Sequence, residues 1–325
     1  MHPLNLVVFS LLSKKSWSLV KAIKTKWQDP TLIYISNTVS IRIPLDENSF
    51  GIEFTYPTGT NDVFTPISAV LQRYSPNLQE VLDTLDIADL MLLPKNWLEY
   101  LKQLWNFSNF FLNFIGPPNR FNMESVHRLC KDYVRTIYYQ IPGQAEFRDL
   151  IMETFYPIDS LILHNHAYAE LKPPAKILVQ NFEEILLGFS INDAQTSLQL
   201  DDVLALNCKQ FGVRRSQFNA KNVNRLLKMW IRGTNPKMES WGMIFGGELA
   251  MSWDVILKGI SHHVAPVDRT LYFKNSFNDK VVSVVGGYDI QRKDGIRATV
   301  KKDTDIRSLK LYVWHSNCTA NVTNG

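Results

Sequence analysis

The spacing of apolar residues changes twice along the chain. Residues 31–56 are rich in β-branched and aromatic residues with partial alternation, which predicts two or three strands. From about 66 to 260, apolar residues recur at i, i+3 and i+4, which indicates helices. From 269 to 315, short strand-like runs return between turn signals such as Gly286-Gly287. The breakers between the helical runs are Pro94, Gly116-Pro117-Pro118, Pro142-Gly143 and Pro173-Pro174.

This pattern predicts an α+β fold without βαβ alternation. A predominantly helical central region (about 66–260) is flanked by β-rich N-terminal (31–56) and C-terminal (269–315) segments. The expected domains are a basic amphipathic N-terminal arm (1–28), a mostly helical main domain with N-terminal strands (29–265), and a β-rich C-terminal segment or subdomain (266–325). No stretch is long and apolar enough to predict a membrane span.

Charge is unevenly distributed, although the net charge is only +4. Residues 1–28 contain five lysines and no acidic residue, and residues 203–238 contain eight basic residues and no acidic one. The remainder holds 22 basic and 31 acidic residues. The chain thus combines two basic segments with a remainder that is acidic overall. This distribution predicts a polyanionic partner, or complementary charge between subunits.

The second basic window contains a predicted amphipathic helix at 219–232. At 100° per residue one face is apolar, and Asn219 is a candidate N-cap. The apolar face consists of Val223, Leu226, Leu227, Trp230 and Ile231. The opposite face carries Lys221, Arg225, Lys228 and Arg232. A basic stripe without a base-reading side chain favours sequence-independent binding. The alternative is that the stripe pairs with acidic residues of this chain or of a neighbour.

The predicted nucleic-acid contacts come from both basic segments. They are Arg214, Arg215, Lys221, Arg225, Lys228, Arg232, Lys14, Lys15, Lys21 and Lys24. No phosphate-binding loop, nucleophile elbow or zinc-protease motif is present, so we expect no enzyme, no catalytic residue, no metal and no cofactor. Three widely separated cysteines predict no disulfide framework and suggest a reducing compartment. No small-molecule substrate is evident.

Three weaker sequence patterns suggest other functions for the chain. Asp159 followed by Glu170 and Lys172 resembles the PD-(D/E)xK motif of metal-dependent nucleases. His164 and His166, with His262-His263, could form a metal site. Residues 207–228 resemble a helix-turn-helix of a DNA-binding protein.

The overall organisation resembles viral coat and nucleocapsid proteins, and among them the small, partitivirus-like capsid proteins of double-stranded RNA viruses. The segments that carry the resemblance are "KKSWSLVKAIKTKW" and "GVRRSQFNAKNVNRLLKMWIRG". The resemblance implies a self-assembling capsid protein that contacts RNA by charge and forms homo-oligomers. It also implies a localisation in the virion or the host cytoplasm.

Overall fold

The computed structural model divides into two compact units, Met1–Ile141 with Glu146–Ile158, and Pro142–Ala145 with Asp159–Gly325. The residues it describes are 14–22, 31–36, 38–44, 49–56, 59–60, 62–64, 66, 68–74, 81–86, 93–105, 110–115, 121–141, 145–163, 179–188, 198–245, 252–303 and 308–320.

The first unit contains a mixed sheet in the strand order β7-β6-β1-β2-β3-β4-β5. Strands β1, β6 and β7 are parallel, and β1 to β5 form an antiparallel meander. Its elements are α1 (Lys14–Ala22), β1 (Thr31–Ile35), β2 (Val39–Pro44), β3 (Ser49–Thr55), β4 (Ser68–Tyr74), β5 (Val81–Asp86), α2 (Pro94–Trp105), β6 (Phe110–Phe114), α3 (Met123–Cys130), β7 (Val134–Tyr139) and α4 (Ala145–Phe155).

The second unit contains a mixed sheet in the order β8-β9-β10-β11-β17-β16-β15-β12. Strands β8 to β11 are parallel, the others are antiparallel, and β13 and β14 form a separate hairpin. Its elements are β8 (Ser160–Leu163), β9 (Asn181–Leu187), α5 (Leu200–Ala205), β10 (Asn207–Ser216), α6 (Ala220–Ile231), β11 (Ser240–Phe245), α7 (Trp253–Ile256), β12 (His262–Val264), β13 (Thr270–Lys274), β14 (Val281–Val285), β15 (Tyr288–Gln291), β16 (Arg297–Asp303), β17 (Ser308–Val313) and a 3-10 turn (Ser316–Cys318).

The prediction of a predominantly helical centre (66–260) is wrong. The described residues there include strands β4 to β11 as well as helices α2 to α7, and β9-α5-β10 and β10-α6-β11 are parallel βαβ units. All four residues of β8 are buried. A strand buried on both faces is a short apolar run, which periodicity alone does not distinguish from a buried helix.

A polar network joins the antiparallel strands of the second unit. Arg269 donates to both carboxylate oxygens of Asp289, with Nη2 2.8 Å from Oδ1, and the Thr299 hydroxyl donates to Oδ1 at 2.7 Å. The Trp314 indole N–H in turn donates to Thr299 Oγ1 at 2.9 Å. Burial raises the pKa of Asp289, but the Arg269 and Thr299 hydrogen bonds outweigh it and hold the pKa below its usual value.

The lowered pKa of Asp289 predicts a pH dependence of stability. A carboxyl whose pKa is depressed by folding stabilises the protein above its unfolded pKa, about 3.9, and this contribution is lost as the pH falls through the folded pKa. Urea midpoints of the wild type and of Asp289→Asn should therefore differ most near neutral pH, and the difference should narrow as the pH falls from about 4 towards about 2. A gap that stays constant down to that pH would contradict this assignment.

Candidate functional site

Helix α6 begins at the cap that its sequence predicts. The side chain of Asn219 accepts hydrogen bonds from the backbone N–H groups of Lys221 and Asn222, each at 3.0 Å. The side chain of Asn222 accepts a hydrogen bond from the Asn219 N–H, which completes a capping box. The predicted helix and its N-cap are confirmed.

The apolar face of α6 docks the helix in the second unit. Val223, Leu226, Leu227 and Trp230 are buried, and Ala220 is buried at the N-terminal end. These positions follow the i, i+3, i+4 and i+7 spacing of one helix face. The orientation of the cationic side chains follows from this docking, because they occupy the opposite side of the same helix.

The α6 basic surface is formed by Lys221, Arg225, Lys228 and Arg232. Lys221, Arg225 and Arg232 are exposed and Lys228 is half-buried. None of the four forms an ion pair with a carboxylate among the residues that the structure describes. Lys228 and Arg232 lie at the helix C-terminus, where the helix dipole favours positive charge. The surface therefore presents cations that no carboxylate in the described part of the chain neutralises.

Helix α7 and the residues that follow it pack beside one side of this surface. The side-chain amide of Asn224 donates to the carbonyls of Ile256 at 2.7 Å and of Lys258 at 3.0 Å. The Lys228 ammonium lies 3.4 Å from the position that a Cβ atom on Gly259 would occupy. The backbone of Lys258, a residue that is exposed, thus lies beside Asn224 of α6. No feature of the sequence predicted Lys258, because the chain folds back only through tertiary contacts.

The other predicted contact residues lie elsewhere. Arg214 is half-buried on β10 and makes polar contacts, and Arg215 follows it on the same strand with a side chain outside the described residues. In the first unit, Lys15 and Lys21 are exposed on α1, and the Lys21 ammonium lies 4.7 Å from the centre of the Trp17 ring. The side chain of Lys14 and the whole of Lys24 lie outside the described residues.

The helix-turn-helix reading of 207–228 is wrong, because residues 207–216 form strand β10 rather than a first helix. In the nuclease pattern, Asp159 immediately precedes β8, whereas Glu170 and Lys172 lie outside the described residues, as do His164 and His166. His262 and His263 are exposed on the edge strand β12. Among the described residues, no group of three or more His, Cys, Asp or Glu could hold a metal ion.

A buried polar cluster around Glu239 has no signature in the sequence. Glu239, immediately before β11, is buried, and its carboxylate accepts hydrogen bonds from Ser276 Oγ at 2.6 Å and Asn317 Nδ2 at 3.0 Å. Burial, with Glu239 beside it, raises the pKa of the Cys318 thiol to about 12. A thiol with this pKa is protonated at neutral pH, so the cluster does not activate a cysteine nucleophile.

The pKa values of the remaining two cysteine thiols are also raised. Burial raises the pKa of the Cys130 thiol well above its usual value, and burial raises that of Cys208 to about 12. All three cysteines are free and buried.

None of the helices among the described residues is long and apolar enough to cross a membrane.

Two comparisons with known proteins give matches. The model of the F-box associated family matches residues 173–242, which include β9, α5, β10 and α6. The F-box associated domain-containing protein sdz-33 of Caenorhabditis elegans is 22% identical over 144 residues, which cover 44% of this chain and 43% of that protein. The match thus spans less than half of that relative's length. No solved structure gives a significant match.

These matches overturn the viral interpretation. The chain is similar to an F-box associated protein of an animal, so the resemblance to partitivirus-like capsid proteins is wrong. The expected capsid function and the localisation in a virion or the host cytoplasm are wrong for the same reason. Nor do the matches support the nuclease or DNA-binding alternatives. The resemblance rested on charge distribution and length, which unrelated proteins can share.

Proposed function

We propose that this chain recognises target proteins for a ubiquitin ligase, as a substrate adaptor of the F-box type. The observation that carries the proposal is the match of residues 173–242 to the F-box associated family. We further propose that the α6 basic surface binds an acidic segment of the target. This surface lies inside the matched residues.

The electrostatics of α6 support an acidic protein segment as the ligand. Unneutralised cations on one helix face attract anions and accelerate their association, and salt screens this attraction. Binding of single-stranded RNA usually adds aromatic side chains on which bases stack. The one aromatic residue of α6, Trp230, is buried on the opposite face. An extended acidic peptide needs no such stacking platform.

Charge reversal at Lys221→Glu with Arg225→Glu should weaken binding of a fluorescent peptide of alternating glutamate and aspartate. We expect a loss of about thirtyfold in affinity, or about 2 kcal/mol, because two attractive contacts become repulsive. Fluorescence anisotropy at low and physiological salt measures the effect. Wild-type affinity should fall as the salt concentration rises.

The matched control is Arg297→Glu with Lys302→Glu, which changes the net charge equally at two exposed positions of β16. This variant should bind the peptide within about threefold of the wild type, because only long-range attraction changes. Equal losses in both double variants would show that net charge alone attracts the peptide. Tighter binding of a polyuridine RNA than of the acidic peptide would also contradict the proposed ligand.

The adaptor role is tested in cells of the source organism. Tagged wild-type chain should co-purify with ubiquitin-ligase subunits, and raising its level should increase ubiquitin conjugation on a defined set of proteins. Lys221→Glu with Arg225→Glu should keep the ligase subunits and lose those conjugates. If the wild type recovers no ligase subunit and changes no conjugate, the adaptor proposal fails, whatever the peptide affinity.

A further inference from the structure

The β13–β14 hairpin of the second unit has one open edge. On the side of β13, Phe273 forms a β-bridge with Thr319, and the Ala320 N–H donates to the Tyr272 carbonyl at 3.0 Å. Strand β14 pairs only with β13 among the residues that the structure describes. Within the described part of the chain, its outer edge therefore has a row of backbone groups without a strand partner.

The hydrogen bonds of the hairpin determine which groups face outwards. The Gly286 N–H donates to Arg269 O at 2.9 Å, and the Asn275 N–H donates to Lys280 O at 2.8 Å. In an antiparallel pair, hydrogen-bonded positions alternate along the strand. Lys280, Val282, Val284 and Gly286 thus face β13, and the N–H and C=O groups of Val281, Ser283 and Val285 point to the open edge.

The side chains of these outward positions do not protect the edge. Val281 is 44% exposed and Val285 is 39% exposed, and Ser283 between them is exposed too. Proteins usually shield such edges with a lysine or proline within the strand, or with a bulge. Strand β14 contains neither a lysine nor a proline, and its pairing with β13 contains no bulge. Val267 is 88% exposed, and its Cα atom lies 3.6 Å from the position that a Cβ atom on Gly286 would occupy.

The sequence of β14, Val-Val-Ser-Val-Val, reads the same in both directions. We propose that β14 pairs antiparallel with β14 of a second copy of this chain, about a two-fold axis at Ser283. This register places Ser283 opposite Ser283 and Val281 opposite Val285 of the other copy. All of these positions have outward N–H and C=O groups, so each facing pair can exchange both N–H···O bonds.

A two-fold interface needs a self-complementary surface, and this register provides one. Valine faces valine across the axis, a cross-strand pair that stabilises sheets. Lys280 faces Gly286 of the other copy, so no like charges are opposed. A pair of chains would also carry two α6 basic surfaces, which increases the apparent affinity for a target with two acidic segments. The pairing itself does not depend on the proposed adaptor function.

Single-cysteine crosslinking tests the register. At a directly facing hydrogen-bonded pair the Cα atoms are about 5.5 Å apart, within the range that a disulfide spans. Ser283→Cys should therefore give a reducible dimer under mild oxidation. Val281→Cys is the control on the same strand, because the two copies of residue 281 would lie about 13 Å apart along the strands. The native cysteines are buried and should contribute little background.

The result expected is a strong dimer band for Ser283→Cys and a weak one for Val281→Cys on non-reducing gels. Equal bands for the two variants, which random collision would produce, or no band for Ser283→Cys, would overturn the proposed register.

Mass measurement tests the pairing without a crosslink. Light scattering of the wild-type chain should give twice its 37.4 kDa at high concentration and approach 37.4 kDa on dilution. Ser283→Lys places like charges opposite each other and should remain monomeric throughout. Thr270→Lys, at an exposed position of the inner strand β13, should still dimerise. A wild type that stays monomeric at the highest concentration, or a Ser283→Lys variant that dimerises equally, would refute the pairing.

Discussion

Replacing Glu239 with alanine should lower the free energy of unfolding by about 3–4 kcal/mol. The Glu239 side chain is 3% exposed, and its carboxylate accepts hydrogen bonds from Ser276 and Asn317. Alanine leaves both donors without an acceptor and opens a cavity, and each of these changes carries a cost. Urea denaturation followed by circular dichroism measures the difference.

The size of this effect follows from how many segments meet at one carboxylate. Ser276 follows β13 and Asn317 lies in the C-terminal 3-10 turn, so Glu239 joins both to the start of β11. The Glu239 backbone adds bonds to Lys209 O at 2.7 Å and from Val313 N at 2.8 Å, which alanine would keep. The predicted loss therefore belongs to the side chain.

Glu183→Ala is the matched control for Glu239→Ala. Glu183 forms an ion pair with Lys209 at 2.7 Å, but both side chains are about one-third exposed. Exposed ion pairs contribute about 0–1 kcal/mol, so this variant should remain close to the wild type in stability. If the two alanine variants lose equal stability, the buried cluster does not have the structural role assigned to it.

Leu227→Ala should cost about 3–4 kcal/mol of stability. The Leu227 side chain is completely buried on the docked face of α6, so truncation loses apolar burial and leaves a cavity. The same urea measurement gives the difference. The buried face holds α6 in its orientation. We therefore expect weaker binding of the acidic peptide to Leu227→Ala under conditions where part of this variant is unfolded.

Arg225→Ala is the control on the opposite face of the same helix. Arg225 is exposed and forms no ion pair with a described residue, and surface substitutions of this kind change stability by about 0.5 kcal/mol or less. Arg225→Ala should therefore weaken binding of the acidic peptide and leave the free energy of unfolding nearly unchanged. A similar loss of stability in both variants would contradict the assignment of the two faces of α6.

Helix α6 shows what local sequence patterns can predict. Its cap at Asn219, its buried face and its basic face all follow from residues within one helix, whose geometry repeats every 3.6 residues. No distant contact is needed to place Lys221 opposite Trp230. The stretch before it behaves differently, because residues 207–216 acquire their strand conformation by pairing with β9 and β11.

Strand β9 shows where the same kind of pattern fails. The stretch 175–189 has apolar residues at helical spacing, yet Asn181–Leu187 is a strand with parallel neighbours on both sides. Its pairing partners are distant in the sequence, and neither their position nor their direction leaves a mark on local periodicity. The parallel sheet of the second unit was therefore not predictable from spacing.

By itself, the sequence determined the ends of α6, the separation of its two faces and the concentration of basic residues around it, because these depend on neighbours within a few turns. Only the tertiary structure decided that buried apolar runs pair as parallel strands, that the backbone of Lys258 lies beside α6, and that Glu239 meets Ser276 and Asn317. It also decided that β14 has no strand partner on its outer edge among the residues described. Each of these depends on residues that are far apart along the chain and are brought together only when hydrophobic burial and hydrogen bonding are satisfied across the whole unit.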